Sequence, residues 1–171
     1  MTPIISIVGK SGSGKTTLIE KIIRELKQRG YRVGTIKHIF HKFEIDKKGK
    51  DSWRHMEAGA DTVVVASRDK IAMFKADSCE DLDRLKIYFQ DMDIVLTEGF
   101  KEDKKPKIEV FRSSVHKEPL CLGDGSLKAI VTDTKIDIDL PVFGLEDIKE
   151  LADFITETFL PGGYSHDNML I

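Results

Sequence analysis

Short runs of apolar residues alternate with amphipathic stretches along most of the chain. The run Ile4–Val8 is almost wholly apolar or β-branched, which is typical of a strand buried on both faces of a parallel sheet. A glycine-rich turn follows, and residues 16–29 then carry apolar side chains at helical spacing up to Gly30. A second strand over 32–37 completes a βαβ unit, whose right-handed crossover places both strands in one parallel sheet.

Predicted strands and helices continue along the rest of the chain, and over residues 62–75 two strands follow one another directly. Two short strands, 62–66 and 71–75, are joined by a polar turn, which predicts an antiparallel hairpin on the sheet or beside it. Asp51 and Ser52 are the predicted cap of a short helix that runs through Ala58. The remaining predicted elements are strands over 94–97, 108–111, 129–131 and 141–143, a helical stripe at Leu82, Leu85, Tyr88 and Phe89, and a closing helix over 145–159.

Length and charge narrow the function classes. The 171 residues predict one nucleotide-binding domain over 1–160 and a flexible tail over 161–171. A formal charge of −2 argues against a surface that coats nucleic acid, and no apolar run has the length of a membrane span. Cys79 and Cys121 stand alone, so the expected compartment is reducing, and we expect a cytoplasmic protein.

The turn after the first strand carries the strongest chemical motif. It matches G-x-x-x-x-G-K-[ST] in full and lies between a predicted strand and a predicted helix, as a phosphate-binding loop requires. The alternative is a capped helix after a glycine turn. The motif predicts an α/β fold of the P-loop NTPase kind, with a mainly parallel sheet flanked by helices. The predicted nucleotide-binding residues are Gly9, Lys10, Ser11, Gly12, Ser13, Gly14, Lys15, Thr16 and Thr17.

A nucleotide triphosphate site also needs ligands for Mg²⁺. The hydroxyl of Thr16 is one predicted ligand, and Glu98, where a buried strand leaves the sheet, is another. Asp46, in the loop after the second strand, is a further possible outer ligand. The alternative for Glu98 is a solvated acid at a strand end. Asp93 lies at the other end of that strand and is less well placed.

Several other residues permit two interpretations. Lys10 is either a free loop position, which we favour, or resembles the extra lysine of the deviant phosphate loops of dimeric ATPases, which reaches the partner's phosphates. His38, His41 and His55 are better explained as polar ligand contacts than as a transition-metal site, because no cysteine or close carboxylate supports a metal. Arg54 is either an anion-binding residue or a surface charge.

Base recognition and hydrolysis have weaker signals. The guanine motif N-K-x-D does not occur, and Thr132-Asp133-Thr134-Lys135 is a loose substitute in which Asp133 could accept from guanine N1 and N2. The alternative for Asp133 is a turn former. No motif positions a glutamine or an arginine to orient water or to neutralise developing charge. Hydrolysis is therefore expected to be slow unless a partner supplies such a group, and the catalytic residues are unknown.

The block after the second strand resembles one family closely. Its motifs are Lys37-His38-x-x-His41, Phe43-x-Ile45-Asp46, Gly49-Lys50-Asp51-Ser52-x-Arg54-His55 and Ala58-Gly59-Ala60, with the phosphate loop before them and Thr97-Glu98-Gly99-Phe100-Lys101 after them. This order is similar to that of the molybdopterin-guanine dinucleotide biosynthesis protein B family, MobB, over roughly residues 4–159.

The resemblance implies a GTP-binding protein that uses Mg²⁺, is usually dimeric, and assists the nucleotidyltransferase MobA in attaching GMP to molybdopterin to form its guanine dinucleotide. At most a weak GTPase activity is expected. Two alternatives use the same phosphate loop. One is a small-molecule kinase, which would transfer phosphate to an acceptor bound by residues 38–54, and the other is a metallochaperone GTPase, which would bind metal through His38 and His41.

Overall fold

The first strand, β1 (Ile4–Val8), lies inside a six-stranded sheet in which every neighbouring pair is parallel. Its strand order is β2-β5-β1-β6-β7-β8, so β1 has β5 on one side and β6 on the other. The prediction of a mainly parallel α/β sheet is confirmed, and the βαβ unit has both its strands in this sheet, with β5 between them. A separate sheet contains only β3 and β4.

The computed structural model describes residues 2–39, 46–77 and 81–160, which form two units. The first contains the described residues of 1–38 and 85–171, and the second those of 39–84. The helices are α1 (Lys15–Gln28), α2 (Asp51–Glu57), α3 (Leu82–Leu85) and α4 (Ile148–Phe159), with a 3₁₀ turn at Lys86–Phe89. The other strands are β2 (Val33–Lys37), β3 (Thr62–Ala66), β4 (Ile71–Lys75), β5 (Ile94–Glu98), β6 (Lys107–Phe111), β7 (Leu127–Thr132) and β8 (Val142–Gly144).

Two helices cover one face of the six-stranded sheet. Ile22 and Leu26 of α1 and Leu151 and Ile155 of α4 are fully buried in one cluster with sheet residues such as Ile7. At about 1.5–3 kcal/mol for each fully buried aliphatic side chain, this layer is a large favourable contribution to folding. A smaller cluster around Val8, Phe111 and Cys121 is built from strand ends and loops. Within the described residues, no helix has the length and apolar character needed to cross a bilayer.

Two predictions about local structure are wrong. Leu82, Leu85, Tyr88 and Phe89 do not form one continuous stripe, because α3 is a single turn that continues as 3₁₀ helix, and Tyr88 is exposed. Neither Asp51 nor Ser52 is the N-cap residue of α2, because both lie inside the helix. Lys50 occupies the capping position, and the Ser52 hydroxyl donates instead to Asp46.

Two buried charged residues of β6, Lys107 and Glu109, form hydrogen bonds with loop residues. The ammonium group of Lys107 donates to the Asp103 carbonyl, to Asp124 Oδ2 at 2.8 Å and to Ser126 Oγ at 2.6 Å. This contact, together with hydrogen bonds from Ser126, lowers the pKa of Asp124 well below its usual range. Glu109 lies two residues after Lys107 in the same strand, and its carboxylate accepts hydrogen bonds from the backbone amides of Leu120 and Cys121. The second half of residues 112–126 is therefore attached to β6 at four positions.

Gly34 of β2 makes space for the ring of Phe89. A Cβ atom added at Gly34 would lie 2.4 Å from Phe89 Cδ1, far inside van der Waals contact. The backbone at Gly34 needs no left-handed conformation, so the constraint is steric. This requirement explains why a glycine stands in the interior of a strand, where it is otherwise unfavourable.

We expect Gly34→Ala to lower the free energy of unfolding by about 1–3 kcal/mol, because the added methyl group overpacks the site. Denaturant unfolding measures the change. Gly125→Ala is the matched control, since its Cβ would meet nothing within 4 Å and its φ is not positive. Adding Phe89→Leu to Gly34→Ala should recover part of the loss, and equal stability of Gly34→Ala and the parent would contradict the packing argument.

Candidate functional site

The phosphate loop joins β1 to α1 at the carboxyl edge of the sheet. Gly9, Gly12 and Gly14 all have positive φ, at 139°, 78° and 97°, a region that side chains with a Cβ rarely adopt. At Gly9 a Cβ would also lie 2.4 Å from the carbonyl oxygen of Val110 in β6. The glycine spacing of the motif is thus required by the backbone conformation and, at Gly9, by close approach to the neighbouring strand.

Helix α1 begins at Lys15, as the motif predicts. Gly14 occupies the N-cap position with no side-chain cap, so the first amides of the helix are not covered by a capping side chain. Such amides, with the positive end of the helix dipole, form a binding site for phosphate oxygens. Thr16 and Thr17 lie in this first turn with exposed side chains.

The Lys15 side chain folds back over the loop. Its ammonium group donates to the carbonyl oxygens of Gly9 at 3.0 Å and Lys10 at 2.8 Å. Burial lowers the pKa of Lys15, the Glu98 carboxylate opposes this shift, and the cation of Lys37 adds to it. Lys15 is thus a partly buried cation beside the loop. An anionic ligand bound there would offset both the cost of burying its charge and the repulsion from Lys37.

Glu98 stands beside Thr16 and Lys37. The Thr16 hydroxyl donates to Glu98 Oε2 at 3.0 Å, and Lys37 Nζ lies 3.5 Å from Oε1. The three residues come from α1, β5 and β2, which meet here because parallel strands end at one edge of the sheet. Asp93, at the amino end of β5, accepts instead from the Arg32 amide at 2.6 Å.

The chain turns sharply after Glu98. Gly99 has φ 102° and Phe100 has φ 56°, the one positive φ recorded for a described residue other than glycine. A left-handed conformation at such a residue costs about 1–3 kcal/mol. Phe100 is buried and its ring stacks on His38 at 4.5 Å between ring centroids, which provides a compensating contact. The turn at Gly99 and Phe100 therefore determines the direction of the chain as it leaves β5 after Glu98.

The oxygen atoms near the loop suit a hard cation. Mg²⁺ is held in nucleotide sites by a loop hydroxyl and a carboxylate, together with phosphate oxygens and water. Thr16 Oγ1 and Glu98 Oε2 are already at contact distance, and neither belongs to a cysteine or histidine cluster. The donors therefore fit Mg²⁺. Among the described residues, no group of three or more His, Cys, Asp or Glu is arranged to hold a metal.

On the other side of β1, Asp133 forms a contact between β7 and the end of β6. Arg112 Nε donates to Asp133 Oδ2 at 2.7 Å, while the Ser113 amide and hydroxyl donate to Oδ1 at 3.0 and 3.3 Å. The hydrogen bonds from Ser113 and Arg112 lower the pKa of Asp133. Because a carboxylate oxygen has two acceptor positions, bidentate pairing with guanine requires that the Ser113 hydroxyl turn away.

The second unit contains the other predicted site residues. Asp46 Oδ1 accepts from the Lys47 amide at 2.8 Å and the Ser52 hydroxyl at 3.1 Å, and Oδ2 is buried with no partner among the described residues. Arg54 and His55 are exposed on α2, and Arg54 lies 3.9 Å from Asp51. The assignment of Asp46 to a metal remains a prediction, and His41 lies outside the described residues.

The structure thus brings together Thr16, Glu98 and the loop lysine, which the sequence identified as candidates. It adds Lys37 and Arg112, which the sequence analysis did not assign to the site. Lys37 had a usable signal, since it is the last residue of a strand predicted to lie parallel to β1. Arg112 had none, because its partner Asp133 is 21 residues away.

Comparison with known proteins identifies the family. The model for Molybdopterin guanine dinucleotide synthesis protein B matches residues 4–133. A molybdopterin-guanine dinucleotide biosynthesis adapter protein of Haemophilus influenzae is 42% identical over 156 residues, covering 90% of this chain and 87% of that protein. The adapter protein of Escherichia coli is 36% identical over 165 residues, covering 92% and 93%.

Solved structures agree with the sequence relatives. A crystal structure of molybdopterin-guanine biosynthesis protein B aligns with a TM-score of 0.72 and 34% identity, covering 90% of this chain and 98% of the other. Bacillus subtilis MobB aligns with a TM-score of 0.71 and 30% identity, covering 91% and 96%. The fold, the phosphate loop and the extent of these matches agree, and the chain belongs to the MobB family.

Proposed function

We propose that this protein binds GTP with Mg²⁺ and acts as an adapter in molybdenum cofactor biosynthesis, assisting the attachment of GMP to molybdopterin. The observation that supports this proposal most directly is the arrangement of residues at the carboxyl edge of the sheet. There a complete phosphate loop lies beside Glu98, whose carboxylate contacts both the Thr16 hydroxyl and the Lys37 ammonium group. The relatives named as adapter proteins supply the biosynthetic context.

In this proposal each part of the site has one role. The loop amides and Lys15 bind phosphate oxygens, and Thr16 and Glu98 hold Mg²⁺, which neutralises phosphate charge when bound. Asp133 accepts from guanine once the Ser113 hydroxyl has turned away. Asp46 is a candidate outer ligand of the same ion. These residues belong to one nucleotide-binding domain over 1–160.

The partners follow from the adapter role. The nucleotide is GTP, the second ligand is molybdopterin or its guanine dinucleotide, and the protein partner is the nucleotidyltransferase MobA. Lys47, Lys48, Lys50 and Arg54 give the segment before and within α2 an excess of positive charge that suits a pterin phosphate. We place the protein in the cytoplasm.

A homodimer is part of the proposal. The β3–β4 hairpin supports it, because Val64 pairs with Met73 and Ala66 with Ile71 on one face, and these residues are exposed. An exposed apolar strand pair is typical of an association surface. Sedimentation equilibrium of the pure protein measures the oligomeric state directly.

Lys15→Ala should weaken GTP binding about 10- to 100-fold, because charged hydrogen bonds to phosphate are each worth about 1.5–3 kcal/mol. Isothermal titration calorimetry measures the affinity. Lys27→Ala is the matched control, since it removes a lysine from the last turn of the same helix. Parent-like GTP affinity in folded Lys15→Ala protein would refute the phosphate-loop assignment.

Glu98→Gln should preserve GTP binding without metal but reduce its enhancement by Mg²⁺. The amide keeps an acceptor for the Thr16 hydroxyl and loses the charge that a hard cation requires. GTP titrations with Mg²⁺ and with EDTA give the enhancement. Glu20→Gln, a surface acid of α1 paired with Arg24, is the control. Equal Mg²⁺ dependence in Glu98→Gln and parent protein would make Glu98 a solvated acid only.

The double variant Arg54→Ala, His55→Ala should keep GTP affinity within about 1 kcal/mol of the parent, yet lose its support of guanine dinucleotide formation by MobA. The removed charges lie on α2, in the second unit. Arg68→Ala, Lys70→Ala in the turn of the β3–β4 hairpin is the matched control. If the double variant still supports cofactor formation fully, Arg54 and His55 have only a structural role. If it loses GTP binding, the two residues belong to the nucleotide site.

A further inference from the structure

A narrow cleft lies on the β6 side of the phosphate loop, and because it has no internal room for a water molecule, a ligand would contact it only at its mouth. We call it the β6-side cleft and define it by Lys10 and Ser13 of the loop and by Arg112, His116 and Leu120. It is close to the loop because Gly9 lies against the backbone of Val110. None of the functions assigned above uses Arg112 as a ligand-binding residue.

Arg112 is held at one end only. Its Nε donates to Asp133 at 2.7 Å, whereas neither Nη1 nor Nη2 makes a hydrogen bond to another described residue. The side chain is 36% exposed, so it is neither fully solvated nor buried. A guanidinium group that is oriented through Nε and has free terminal nitrogens is a rigid fork suited to phosphate oxygens.

A second observation comes from the opposite wall of the β6-side cleft. The hydroxyl oxygen of Ser13 is buried and has no hydrogen-bond partner among the described residues, although Ser13 is only 1% exposed. A buried polar group without a partner is uncommon and indicates a missing water or ligand. The loop wall thus has a hydroxyl without a hydrogen-bond partner, and the β6 wall has terminal guanidinium nitrogens without one among the described residues.

Two acids, Glu109 and Glu118, line this cleft, and neither forms an ion pair with Arg112 within the described residues. Glu109 is 1% exposed, and its oxygens accept from the amides of Leu120 at 2.6 Å and Cys121 at 2.9 Å. Asp133 is already paired through Nε. Lys10 and Arg112 are thus balanced in number by the two acids of the cleft, and what distinguishes Arg112 is that its terminal nitrogens make no hydrogen bond to a described residue.

The orientation of a nucleotide follows from the positions of its other ligands. Thr16, Lys37 and Glu98 lie on the β5 side of β1, where Thr16 and Glu98 would hold a metal that neutralises the charge of the terminal phosphates. β6 lies on the opposite side of β1. A nucleotide that crosses the loop therefore directs its nucleoside end toward β6 and the β6-side cleft.

We propose that Arg112 binds an oxygen of the phosphate attached to the nucleoside, with Asp133 as the positioning residue that holds its guanidinium group. This inference rests on the proposed nucleotide binding and adds a specific contact to it. Because this phosphate is present in every guanine nucleotide and is independent of the base, Arg112 contributes equally to the binding of di- and triphosphates.

The test compares Arg112→Gln with the parent in calorimetric titrations of GTP, GDP and inosine triphosphate. All three affinities should fall by the same factor, about 10- to 100-fold. Arg24→Gln is the matched control, because Arg24 also pairs with a carboxylate but lies on the exposed face of α1. It should bind all three nucleotides like the parent.

A second variant separates binding from folding. Arg112→Lys keeps a cation beside Asp133 but lacks the planar fork that presents two terminal nitrogens to phosphate while Nε holds the carboxylate, so a uniform loss is expected. Unfolding midpoints establish that each variant is folded.

Three results would overturn the inference. Unchanged affinities in both folded Arg112 variants would make the contact with Asp133 a structural link between β6 and β7. A loss for GTP but not GDP would place Arg112 on the terminal phosphate. A changed ratio of GTP to inosine triphosphate affinity would mean that it acts on the base through Asp133. Absence of nucleotide binding by the parent would instead refute the proposed function.

Discussion

Close approach of two backbones, at Gly9 and at Val110, is the constraint on which the nucleotide-binding edge depends. No side chain fits between them, since a Cβ at Gly9 would stand 2.4 Å from the Val110 carbonyl oxygen. The loop therefore leaves β1 with its first residue pressed against β6, and its return into α1 takes place over the carboxyl ends of the central strands. The positions of Lys15, Thr16 and the β6-side cleft all follow from this contact.

The parallel sheet then concentrates charge at this edge. β2, β1, β5 and β6 all end here, so residues far apart in sequence become neighbours: Lys37 and Thr16 meet at Glu98, and Arg112 meets Asp133. The acids and cations are arranged in pairs, which limits repulsion before a ligand binds. The amino end of β6 shows the same pairing in a buried setting, where Lys107 meets Asp124 and two further acceptors.

Sequence patterns predicted the parts of the molecule that depend on local chemistry. Apolar runs predicted the strands, and the glycine-lysine motif predicted the phosphate loop. The end of a buried strand predicted the position of Glu98. The pattern failed where a residue's role is set by a distant partner. Lys107 is tolerated as a buried strand residue because Asp124 and Ser126 accept its hydrogen bonds, and the Phe89 ring packs against β2 because Gly34 has no side chain. Arg112 is oriented by a carboxylate on the next strand, which no spacing rule encodes.

Lys15 has a consequence for how the loop recognises its ligand. By donating to the carbonyl oxygens of Gly9 and Lys10, its ammonium group connects the end of the turn to its beginning. In the proposed complex, phosphate oxygens would compete with these two carbonyl oxygens for one ammonium group, so hydrogen bonds to the ligand would partly replace hydrogen bonds to the loop. The net enthalpy of association is correspondingly smaller than the sum of the new contacts. In return, little conformational entropy remains to be lost, because the lysine has already ordered the loop.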